Sequence, residues 1–166
     1  MSIVFYLKLI NMIISRTAIS GTQTTLKDNI LNLLQMLRYA KCITDYSECS
    51  IWFEASALTL CSDIISHLTE NRIKITATPL SEANPQEKSF SQQFQSAFPK
   101  VLIILFSDQE PQTTQFTATF QKLTDKISSL QTPTLLFAAS TNKDLPLIKS
   151  LHSWSTLFQN GRFIAK

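Results

Sequence analysis

The chain has 166 residues, 44% hydrophobic and 16% charged, with a formal net charge of +3 at pH 7. That is enough apolar material for one packed domain, and it excludes disorder as the main state. The charge is mild and no two Lys or Arg residues are adjacent, which argues against a nucleic-acid partner.

The first fifteen residues, MSIVFYLKLINMIIS, are apolar but interrupted by Lys8 and Asn11. A spanning helix needs about 20 apolar residues and a secretory leader needs a basic start and a small-residue cleavage site. Alternation of Ile3, Phe5, Leu7 and Leu9 with their neighbours instead predicts an opening strand, although the apolar N-terminus keeps membrane association in view. Ser20-Gly21-Thr22 reads as a turn, with Thr24 and Thr25 as candidate helix caps. Leu26, Ile30, Leu33, Leu34 and Leu37 then recur at helical spacing through Ala40.

A polar connector over 42–49 leads to a strand at 50–54. The following helix, 56–71, is expected to bury Leu58, Cys61, Ile65 and Leu68. Residues 72–78 (RIKITAT) alternate as a strand, and 79–88, with two prolines, read as a loop. Phe90, Phe94 and Phe98 step by four and mark a short helix that could offer a docking face. The run 101–106 (VLIILF) reads as a strand buried on both faces of a parallel sheet. Phe116, Phe120, Leu123, Ile127 and Leu130 form a clean helical stripe. A strand follows at 134–139, then a loop capped by Asp144. Pro146 opens a helix whose core face would be Leu147, Ile148, Leu151, Trp154 and Phe158, and 162–165 is a last strand.

Strands alternating with helices imply an α/β fold, doubly wound, with a mainly parallel sheet of five to six strands and helices on both faces. Residues 1–48 form a strand and amphipathic helix, either an extension or the integral first βα unit, and 49–166 form the main α/β domain. Cys42, Cys49 and Cys61 contain no C-x-x-C pair, and with His67 and His152 as the only histidines they suit reduced thiols in a cytoplasmic protein. Gly21 and Gly161 are the only glycines, so neither G-x-G-x-x-G nor a P-loop exists; Asn142-Lys143-Asp144 therefore has no phosphate cradle to serve.

In doubly wound sheets the site lies beyond the carboxyl ends of the strands. Those ends supply Glu54, Ser107-Asp108, Ser140-Thr141 and Lys166. From 50 to 166 this order resembles a response-regulator receiver domain. The resemblance implies Asp108 or Ser107 at the phosphoacceptor position, Ser140, Thr141 and Lys166 as switch-like residues, and Glu54 as a magnesium ligand. Only one acid ends the first of these strands, and counting back from Pro111 places Ser107 where the acceptor belongs. One or two carboxylates make a poor magnesium site.

The expected protein is therefore non-catalytic: a signalling interaction domain resembling a receiver that has lost most of its acid cluster. Its partners would be proteins, a histidine kinase among them, with self-association open, and it would need no cofactor; magnesium would matter only if the acceptor site works. A structural or assembly subunit is the alternative, and a working receiver using Asp108 the second.

Overall fold

A computed structural model describes residues 17–80, 99–108, 135–153, 158–159 and 162–163. In chain order the elements are strand β1 (Thr17–Ser20), helix α1 (Gln23–Tyr39), strand β2 (Cys49–Glu54), helix α2 (Leu58–Glu70), strands β3 (Thr76–Leu80), β4 (Val101–Leu105) and β5 (Leu135–Ser140), the short helix α3 (Pro146–Lys149), and strands β6 (His152–Ser153), β7 (Phe158–Gln159) and β8 (Arg162–Phe163). Six of the strands form one sheet in the order β3-β2-β4-β5-β1-β6, and every pairing within it is parallel. The chain is a doubly wound α/β domain.

Burial on both faces follows from the two-residue period of a strand. In β4, Val101, Ile103 and Leu105 face the cluster built with α1 and α2, whereas Leu102 and Ile104, with Phe106 beyond them, face a second cluster that includes Leu145 and Ile148. All five β4 residues are buried, as a central parallel strand requires. Helix α1 buries Leu26, Ile30, Leu33, Leu34 and Leu37, the stripe its periodicity predicts. Its cap is Thr22, whose hydroxyl accepts from the Thr25 main-chain N–H, rather than Thr24 or Thr25.

Elsewhere the structure corrects the sequence reading. Helix α2 starts at Leu58, after a 3₁₀ turn at Ala55–Ala57, and buries Cys61, Ile64 and Leu68. Leu58 is exposed and Ile65 only half-buried. Neighbouring isoleucines at 64 and 65 serve two stripes about 100° apart, and packing chooses between them. Strand β3 begins four residues later than expected and contains Pro79, tolerable because β3 lies at the sheet edge, where one missing N–H need not break a ladder.

The larger corrections concern the two ends of the chain. Thr17–Ser20, expected to lie between an opening strand and a turn, is itself a strand and occupies the fifth position, between β5 and β6. Residues 162–163, expected to supply that fifth strand, pair instead with Phe158–Gln159 in a separate antiparallel ribbon. The helix expected from 146 stops at Lys149, and His152–Ser153 adds a short parallel strand beside β1. Ser150, Ser153, Ser155 and Thr156 dilute helix propensity there, so the sheet edge wins the segment. The predicted opening strand over residues 3–10, the stripe from Phe116 to Leu130, the Phe90, Phe94 and Phe98 face, Trp154 and Lys166 lie outside the described residues.

Candidate functional site at the carboxyl ends of the strands

The order in which strands are added to the sheet reverses between β2 and β4: β3 lies outside β2 on one side, and β4 pairs with β2 on the other. A crevice at such a switch point is where ligands bind in this fold class. Glu54 ends β2 at this point, and Ser107 and Asp108 follow β4 directly. The topology thus brings together Glu54, Ser107, Asp108 and Ser140, on strands that are adjacent in the sheet.

Glu54 has no exposed surface. Its Oε1 accepts from the main-chain N–H of Ser107 at 3.1 Å, so the carboxylate ties the end of β2 to the end of β4. Removing a carboxylate from water is costly, and it is tolerated where hydrogen-bond donors replace the lost solvent. Ser107 is itself buried, and its carbonyl accepts from the Ser140 hydroxyl at 3.3 Å. Ser140 Oγ also accepts from the Asn142 N–H at 3.1 Å. Ser140 pairs in register with Ser20 on β1, so the tie spans β4, β5 and the start of the β1 turn.

Asn142 completes the arrangement, and sequence reasoning did not single it out for this role. Its Nδ2 donates to the Asp108 carbonyl at 2.8 Å, and its Oδ1 accepts from the Asp144 N–H at 2.9 Å. The second bond is an Asx turn, the local signature of an Asn two residues before a free amide. The polar run after β5 carried that signal; the contact across to Asp108 depends on the β4–β5 pairing and is not local. Thr141 is half-buried between these groups, and the Asp108 residue is exposed.

This geometry gives Ser107 and Ser140 a positioning duty. Both are buried and tied to strand-end main chain, and Glu54 faces inward to the Ser107 amide. Magnesium requires near-octahedral oxygen ligation. Among the described residues no group of three His, Cys, Asp or Glu side chains is placed to hold a metal ion, and the two carboxylates here differ sharply, one wholly buried and one in solvent. That donor set does not fit magnesium. The strand filling the fifth position ends in Ser20-Gly21-Thr22, so no lysine follows it, and Lys166 lies outside the described residues.

The three cysteines are buried and free. Burial pushes their thiols up, to about 11 for Cys42 and Cys61 and about 12 for Cys49, with Glu48 and Asp45 adding to the shift at Cys49. Thiols held protonated in this way are poor nucleophiles at neutral pH. Comparison with known protein families, with curated proteins and with solved structures finds no match.

Proposed function

We propose that this chain is a non-catalytic interaction domain of a cytoplasmic signalling system, related in plan to a receiver but without its phosphoryl chemistry. The observation that carries the reading is the inward turn of the strand-end polar groups. Glu54 bonds the Ser107 amide, Ser140 bonds the Ser107 carbonyl, and Asn142 bonds the Asp108 carbonyl. Glu54 and Ser140 are engaged in closing the sheet end, and Asp108 is left in solvent without the Glu54 carboxylate beside it on that exposed surface, which suits the end to protein contact. Three protonated buried thiols agree with a reducing compartment.

Amide NMR of the folded protein, titrated with magnesium and then magnesium plus beryllofluoride, tests this. The expected result is a spectrum unchanged at Ser107, Asp108 and Ser140. Saturable shifts centred on those three amides would establish Asp108 as a working acceptor and overturn the reading.

One observation favours a second reading, an assembly subunit. Strand β1 and helix α1 are integral to the sheet and to its larger core cluster, so the domain departs from a receiver plan at its fifth strand. A concentration-dependent mass in analytical ultracentrifugation would favour that reading; a monomer at all concentrations would favour the first.

A further inference from the structure

We draw no further inference here: the strongest candidate, the surface patch of exposed basic side chains at the amino ends of the parallel strands (Arg38, Lys41, Arg72, Lys74 and Lys100), carries nothing because nothing in the structure shows what covers it.

Discussion

A carboxylate with no exposed surface at the end of β2 makes Glu54 the residue on which the strand-end geometry turns. Replacing it by alanine strips the Ser107 amide of its acceptor in a buried setting, at a cost of about 1–3 kcal/mol. Glu54→Gln keeps an acceptor oxygen of the same reach and should lose less. Urea denaturation of the two variants measures the difference; equal stabilities would show that the bond to Ser107 is energetically idle. The cysteines give a second expectation at this scale. Their thiols are raised in the fold from 9.0 to about 11 or 12, whereas in the unfolded chain they ionise near 9.0. Below pH 9 both states are protonated and stability is complete. As pH climbs from 9 towards 11–12 only the unfolded state sheds these protons, so stability falls. Cys49→Ala should flatten the alkaline limb of a stability–pH profile, and an unchanged limb would contradict the burial argument. Glu48 works on the other side of neutrality. Thr44 donates to it from both hydroxyl and amide, and with Lys100 this lowers its carboxyl from 4.5 to about 2. The resulting stabilisation is complete above pH 4.5 and is lost as pH falls towards 2, so Glu48→Gln should flatten the acid limb.

Both long helices close with the same hydrogen-bond pattern. Cys42 N–H donates to the Leu37 carbonyl and Lys41 N–H to that of Arg38; Ile73 and Arg72 repeat this with Leu68 and Thr69. Each is a Schellman motif with a buried apolar residue after the left-handed one, but with Lys or Arg where glycine is usual. Lys41→Gly and Arg72→Gly should each raise stability by about 1 kcal/mol, by relief of the left-handed strain. Gly21 is the converse case. Its φ of 147° turns the chain from β1 into α1, and an added Cβ would meet Thr25 Cγ2 at 3.0 Å. Gly21→Ala should therefore destabilise, and thermal melts of the three variants check both signs together. Legibility from sequence varied among the elements for physical reasons. Helix α1 could be read residue by residue because its apolar stripe is narrow and its other faces are polar. Helix α2 has adjacent isoleucines and so two stripes of nearly equal merit. Strand β1, four residues of TAIS, carries a weaker local signal than the apolar run before it, and only its pairing with β5 makes it a strand. The strand-end residues Glu54, Ser107 and Ser140 were legible as positions; their inward hydrogen bonds, and the part played by Asn142, required the register of β4 with β5.

At the scale of the molecule, the position of β1 decides what folds as a unit. Thr17 pairs with Phe137 and Ser20 with Ser140, so the sheet is completed by strands from opposite ends of the chain. Ile19 and the five buried residues of α1 belong to the same cluster as Ile51, Val101 and Phe137. A chain starting at residue 49 would leave one side of β5 unpaired and expose that cluster along the whole length of α1. Burying a Leu or Ile side chain contributes about 1.5–3 kcal/mol, so six such residues contribute about 9–18 kcal/mol, as much as the usual net stability of a domain, about 5–15 kcal/mol. Residues 49–166 alone should therefore be unfolded or molten, without a cooperative urea transition, while the full chain unfolds in one step. Adding a peptide of residues 1–48 in trans should restore native-like circular dichroism if the two pieces meet as they do in the intact sheet. A cooperative transition in the shorter chain would mean that β5 can end the sheet unaided, and the receiver-like plan would then stand without its N-terminal strand. Loss of that transition, recovered in trans, would make β1 an integral inner strand of a single fold, on which the β5 edge of the candidate site depends.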